Sequence, residues 1–301
     1  MRHAVPVFFC DEMVVANANS YSPSSGKPSM VLCDWQDRGL AIDLRAATAV
    51  TREQLALAHD PAFVDAVLDG RRSNGFGNTL PEVARSLPYT TGALLCAARE
   101  ALRNRCVAVA PVSGFHHAGY DFAGGFCTFN GLMVTAQALH REGLVRKLAI
   151  LDLDQHWGNG TQDIIDRLQL GWVQHYSSGG MSLRARDAER YLRDLPKLME
   201  QWADCDLLIY QAGADAHIDD PLGGWMTTEQ LRRRDEIVFS TAQALRLPVV
   251  WDLAGGYQRD ADGGISAVLE IHRNTMIACL GVHCTAAAAG AVEDFDRPGK
   301  A

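Results

Sequence analysis

The sequence predicts an α/β fold: a mostly parallel sheet with helices on both faces. Three observations predict it. Short apolar runs rich in β-branched residues recur along the chain, segments of helical periodicity lie between them, and each run ends in a polar cluster. Strands alternating with helices pack as a parallel sheet covered on both sides. The 301 residues suit one domain, taken as 1–301, and an apolar share of 48% supplies a sizeable core.

The elements follow in order. Asn17 to Lys27, NANSYSPSSGK, is rich in Ser, Pro, Gly and Asn and reads as a loop, as does RRSNGFGN from Arg71 to Asn78. The strand runs are Cys106–Val112, Lys147–Leu153, Asp206–Gln211 and Pro248–Leu253. Helical spacing marks Gly131 to Glu142 and Thr228 to Leu245. From about Val292 the chain is polar and reads as a flexible tail.

Composition excludes several classes. The net charge is −8, from 28 basic and 36 acidic residues, with no Lys/Arg block, so nucleic acid is not an expected partner. The acidic excess either favours a cationic substrate or simply serves solubility. Cys10, Cys33, Cys96, Cys106, Cys127, Cys205, Cys279 and Cys284 form no C-x-x-C pair. Read as reduced thiols, they point to the cytoplasm. The start, MRHAVPVFFCDE, has too short an apolar run for a signal peptide. No stretch approaches the ~20 apolar residues of a membrane span, so no membrane is expected.

The four strand ends carry the chemistry. The first run leads to Gly114-Phe115-His116-His117 and the second to Asp152-Leu153-Asp154-Gln155-His156. The third leads to Gly213-Ala214-Asp215-Ala216-His217 and the fourth to Gly255-Gly256-Tyr257. In open parallel sheets, ligands bind beyond the carboxyl ends of the strands, so four clusters there converge on one crevice. Asp154 and His156, two residues apart in extended backbone, point the same way and can grip one ion. Alone, such a pair is far more often a cap and a core residue, and the surrounding residues reverse that balance. Asp215 is the best candidate for a third ligand, and three ligands with one open position make a catalytic zinc site. Loop-borne His116 and His117 suit general acid and base work, although adjacent histidines are often only structural. Asp152 is placed to fix a histidine tautomer. Tyr257 is either an oxyanion donor or an exposed turn residue.

Together these residues resemble the histone deacetylase family, including bacterial acetylpolyamine amidohydrolases. The resemblance runs from about Phe8 to Val268 through GFHHAG, GGFCTFN, ILDLDQHWGNGTQDI, AGADAHIDDPLGG and AGGY, with a weaker match at Ala58 to Val67. It implies an arginase/deacetylase-like fold with an eight-stranded sheet, and one zinc per chain on Asp154, His156 and Asp215. It implies His116 and His117 as the catalytic pair and Tyr257 as the carbonyl-polarising group, with Asp152 and Asn159 behind the histidines. Phe126 corresponds to a tunnel wall, Gly125 to a carbonyl that receives the substrate amide, and Leu222 to another wall. A potassium ion is implied near the backbone of Asp152, Asp154 and His156. The implied substrate is an acylated amine, an acyl-lysine or an acetylpolyamine, and a homo-oligomer stays open.

The chain departs from the family pattern in places. Asn159 stands where some members have an acid, Trp157 replaces a frequent histidine, and Ser113-Gly114-Phe115 replaces a proline-rich approach. YSSGGMSL lacks the Phe-Pro-Gly loop that supplies the second aromatic wall, and SPSSGKP replaces His-Pro-Glu. Two rivals are weighed. In a two-manganese ureohydrolase of the arginase type, His217 and Asp219 bind a second ion. A silent homologue that only binds acylated ligands is expected to lack a ligand, a histidine or the tyrosine, and none is missing.

Overall fold

Each of the four apolar runs forms a strand, and three more strands join them in the computed structural model of the chain, which describes residues 4–293. In order these are β1 Val5–Phe9, α1 Lys27–Asp37, β2 Ile42–Ala46, α2 Arg52–Leu55, α3 Pro61–Leu68, α4 Pro81–Asn104 and β3 Val107–Ala110. Then come α5 Gly131–Arg141, β4 Leu148–Asp152, α6 Asn159–Leu168, β5 Val173–Ser177, α7 Ala188–Glu200, β6 Leu207–Gly213, α8 Thr228–Ala244, β7 Val249–Ala254 and α9 Ser266–Glu293. The tail expected from about Val292 falls, from residue 294 on, outside the described residues.

The strands form one sheet in the order β2-β1-β3-β7-β6-β4-β5, parallel at every pairing. Among the described residues it has seven strands, one fewer than expected. After β5 the chain turns at Ser178–Gly180 and again at Ala185–Asp187 before entering α7. The segment between, MSLR, is short and largely exposed, so β5 remains an edge. The central strands are buried on both faces, as the apolar runs require. Leu148, Ile150, Leu207, Ile209 and Val250 pack with residues of α3 to α6, while Ala149, Leu151, Leu208, Tyr210 and Trp251 pack with α1, α7, α8 and α9. One rung of the ladder aligns Asp152, Gln211 and Asp252 across β4, β6 and β7. Their side chains therefore share a face at the carboxyl end.

His59, just before α3, ties the loops over that end together. Its Nδ1 lies 2.8 Å from the Gly119 carbonyl, and its Nε2 accepts from the Asn130 N–H at 2.8 Å. Those partners demand the neutral Nδ1–H tautomer. Burial pushes the imidazole down to about 4, against the pull of the Gly119 and Tyr120 backbone. Because the folded value lies below the unfolded one, only the unfolded chain takes up this proton between about 6.5 and 4. Stability should fall as pH drops through that window, by about 3 kcal/mol from this group. Urea unfolding from pH 7.5 to 4.5 checks this: His59→Gln should flatten the slope, and an unchanged slope would clear His59 of the role.

Candidate active site

Beyond β4 the chain folds back on its own carboxylates. The Asp154 N–H donates to Asp152 Oδ1 at 3.2 Å, and the His156 N–H donates to Asp154 Oδ1 at 2.8 Å. The Gln155 N–H reaches across to Asp215 Oδ1 at 3.1 Å, tying this loop to the one after β6. His156 Nδ1 then lies 3.1 Å from Asp154 Oδ1 and 3.0 Å from Asp215 Oδ2. One donor atom from each of the three residues lies within 4.8 Å of the others. Both carboxylates are buried. Burial works against both charges; His116 and His156 nevertheless hold Asp154 well below the usual carboxylate range, whereas burial and the charge of Asp154 push Asp215 up. Two carboxylates and an imidazole crowded at one point, one of them forced toward its protonated form, fit a divalent cation.

The paired histidines reach this point from the loop after β3, through left-handed backbone at Gly114 (φ 95°) and Phe115 (φ 119°). The amides of Gly160 and Thr161, at the start of α6, hold the His116 carbonyl at 2.9 and 3.0 Å. His116 Nδ1 lies 2.8 Å from Asp152 Oδ2, and His117 Nδ1 lies 2.6 Å from Asn159 Oδ1. The two rings are 4.1 Å apart, and His117 is 5.9 Å from the His156 ring. Burial alone would lower His116, but Asp152 and Asp154 override it and raise the imidazole to about 9. Burial and the charge of His116 push His117 down. Two adjacent imidazoles thus hold different protonation states, one able to give a proton and one able to take it.

Tyr257 enters from β7. At Gly255 (φ 49°) an added Cβ would sit 2.1 Å from the Asp215 carboxyl carbon, so only glycine lets the chain pass. The Tyr257 N–H donates to Asp220 Oδ2 at 2.8 Å. Burial and the charges of Asp215 and Asp154 push its phenol far up, so it stays a donor. Phe126, whose ring is 5.7 Å from that of Tyr257, follows Gly125. A Cβ on Gly125 (φ 54°) would meet the His117 ring at 2.4 Å. Leu222 is partly exposed on the loop after β6, its N–H bound to Asp220 Oδ1 at 3.0 Å.

Residues 29–172 and 184–271 match the model of the histone deacetylase domain. The chain belongs to the histone deacetylase family. An uncharacterized protein of Picosynechococcus is 31% identical over 232 residues, covering 69% of this chain and 77% of that protein. The acetylpolyamine amidohydrolase of Mycoplana ramosa is 57% identical over 49 residues, covering 16% of this chain and 14% of that enzyme. The crystal structure of an acetylpolyamine aminohydrolase from Burkholderia pseudomallei superposes with a TM-score of 0.72 at 19% identity, covering 93% of this chain and 99% of that one.

Set in the histone deacetylase fold, the departures find local reasons. The Asn159 amide oxygen accepts from His117 Nδ1 in place of an acid and leaves that imidazole without a charged partner. Trp157 is 40% exposed, its ring 5.5 Å from His175. In the YSSGGMSL stretch the Ser178 hydroxyl donates to the Asp154 carbonyl at 2.9 Å, and the Ser177 hydroxyl accepts from the Gly158 N–H at 3.0 Å. This loop therefore braces the Asp154–Gly158 turn. An aromatic residue invisible to motif reading stands at the mouth. Tyr21, from the SPSSGKP side of the chain and 59% exposed, lies edge-on to Phe126 at 5.2 Å and 6.3 Å from Tyr257. Arg259 Nη2 holds its carbonyl at 2.7 Å.

Lys27 and Arg234 also escaped sequence reasoning. Lys27, fully buried, donates to the Gly255 carbonyl. Burial pushes its ammonium down to about 8, against the pull of Asp215, Asp154, Asp220 and Asp252. Arg234, on α8, holds the Gly213 carbonyl at 2.8 Å and the Leu153 carbonyl at 3.3 Å, two residues before Asp215 and one before Asp154. For Arg234 the signal was positional: Arg234 and Asp235 interrupt the stripe formed by Leu231, Val238 and Ala242.

Of the residues a second ion would need, His217 has both ring nitrogens engaged and Asp219 lies largely in solvent. His217 Nε2 pairs with Thr228 Oγ1 at 3.0 Å, and its Nδ1 accepts from Gln258 at 2.7 Å and from the Asp219 N–H at 3.2 Å. The Asp219 side chain is 81% exposed. Among the described residues, Asp154, His156 and Asp215 are the one group placed to hold an ion. No helix of the described residues is long and apolar enough to cross a membrane.

Proposed function

We propose that this chain is a metal-dependent amide hydrolase that removes an acyl group, acetyl in the simplest case, from a lysine side chain or a polyamine-like amine. One observation carries the reading: the Asp154–His156–Asp215 group, the His116–His117 pair and Tyr257 lie together beyond the sheet's carboxyl end, with His117 5.9 Å from the His156 ring and the Tyr257 phenol close enough to feel the Asp215 and Asp154 charges. Family membership and the local likeness to an acetylpolyamine amidohydrolase support it.

Asp154, His156 and Asp215 would hold the ion, zinc by family resemblance. When bound, the ion supplies Lewis acidity toward water and the substrate carbonyl. A donor set without thiolate also accepts Fe(II) or Co(II). His117, held neutral by burial and by the charge of His116, takes the proton of the attacking water. Tyr257, its phenol fixed in the protonated form, donates to the developing oxyanion. His116, kept charged by Asp152 and Asp154, stabilises that negative charge, and a proton from the histidine pair returns to the leaving amine. Phe126 flanks the amine chain, Leu222 its outer part, and the Gly125 carbonyl receives the amide N–H.

A panel of acetyl-lysine amides and acetylpolyamines, assayed with and without chelator, tests the reading. Turnover abolished by chelator and restored by zinc is expected; no turnover on any member would favour a silent binding protein. Asp215→Ala should purify without stoichiometric metal, and full occupancy by elemental analysis would refute the ligand set. Two ions per chain would favour the ureohydrolase instead.

A further inference from the structure

The rung that aligns Asp152, Gln211 and Asp252 holds an unusual set of groups. The Gln211 side-chain amide donates to Asp152 Oδ1 at 2.9 Å, and Asp152 Oδ2 meets His116 Nδ1 at 2.8 Å. Strand β6 lies between β4 and β7. Gln211 commits its nitrogen to Asp152 on β4, which leaves Oε1 as its free acceptor, and the residue in register with it on β7 is Asp252. Gln211 Oε1 and both Asp252 oxygens are buried, and none has a hydrogen-bond partner beyond the N–H of Asp252 itself. Asp252 and Gln211 are each 0% exposed.

Two buried acceptors on neighbouring strands cannot pair with each other unless one carries a proton. An amide oxygen has none to give, whereas a carboxyl can. Turning the Gln211 amide over would only move the conflict, because its oxygen would then face Asp152. The buried cation nearby, Lys27, is already directed at the Gly255 carbonyl.

We propose that Asp252 is a neutral carboxylic acid whose O–H donates to Gln211 Oε1, making it the far anchor of a three-strand chain that positions His116. From Asp252 the chain runs through the Gln211 amide to Asp152 Oδ1 and from Asp152 Oδ2 to the imidazole. Each link is donor to acceptor, so one orientation of Asp152, and hence of the His116 ring, is selected. Burial, together with the charges of Asp152 and Asp154 and against the pull of its own backbone N–H and of Lys27, pushes the Asp252 carboxyl well above the carboxylate range, in keeping with this state. Asp252 touches no reacting atom; it is a positioning residue. Only the role of His116 rests on the proposed function.

Infrared spectroscopy of the whole chain tests the proton directly. The spectrum of wild type minus Asp252→Asn at neutral pH should show a carboxylic-acid C=O stretch that shifts in D2O. Loss of carboxylate bands instead would overturn the proposal. Kinetics test the positioning role. Asp252→Asn keeps a donor and should stay within about twofold of wild-type kcat, whereas Asp252→Leu should lose about 10–100-fold in kcat with KM unchanged. Equal losses in both variants, or none in Asp252→Leu, would also overturn it. If Asp252→Leu does not fold, the infrared comparison with the isosteric Asp252→Asn decides. That spectrum involves no turnover, so the band in a chain that cleaves no acyl amine would overturn the functional reading alone.

Discussion

Tyr257→Phe is expected to lower kcat by about a hundredfold or more while leaving metal content, fold and KM near wild type. The substitution removes one oxygen and nothing that holds the loop. The backbone N–H of Tyr257 still donates to Asp220, and the ring still packs 5.7 Å from Phe126. Any loss therefore reports on the phenol as a donor to the oxyanion, a contact that matters in the transition state far more than in the ground state. Single-turnover rates on a zinc-loaded chain, with elemental analysis beside them, are the measurement. Near-normal turnover would remove Tyr257 from the chemistry.

Arg234→Leu is expected to cost about 3–5 kcal/mol of stability, a large share of what a folded chain has to lose. Arg234 and Asp235 are both almost fully buried, with Arg234 Nε donating to Asp235 Oδ1 at 2.8 Å. Thr275 donates to the other Asp235 oxygen at 2.6 Å, and the Tyr210 hydroxyl donates to Oδ1. Removing the guanidinium strands the Asp235 carboxylate with neutral partners and leaves the Gly213 carbonyl without its donor. Those carbonyls belong to the strand ends that carry Asp154 and Asp215, so metal affinity should fall by about 10–100-fold as well. Urea unfolding and zinc titration against a competing chelator measure the two effects. The double variant Arg234→Leu/Asp235→Leu should recover part of the stability because no lone buried charge remains. A single variant as stable as wild type would show that the network contributes little.

Much of the site was legible because its residues sit next to strand signals. The runs before His116, Asp154, Asp215 and Tyr257 are apolar and β-branched, and all four became adjacent central strands, β3, β4, β6 and β7. Where the pattern was weak, the reading failed. Val5–Phe9 is interrupted by a proline, and Ile42–Ala46 and Val173–Ser177 mix polar with apolar residues and are only partly buried, so no continuous apolar run marked them. The eighth strand came from resemblance alone, and the segment after β5 has no run to build it.

By itself the sequence determined which groups could do chemistry and that they lie at strand ends, because side-chain type and alternation are local properties. Only the tertiary structure decided which remote residues serve them. Tyr21 reaches the mouth from a loop far from any motif, Lys27 comes from the start of a helix, and Arg234 comes from the layer beneath the sheet. Strand order set the rest. Gln211 stands between Asp152 and Asp252 only because β6 lies between β4 and β7, and hydrogen-bond registry across strands is not written in any one of them.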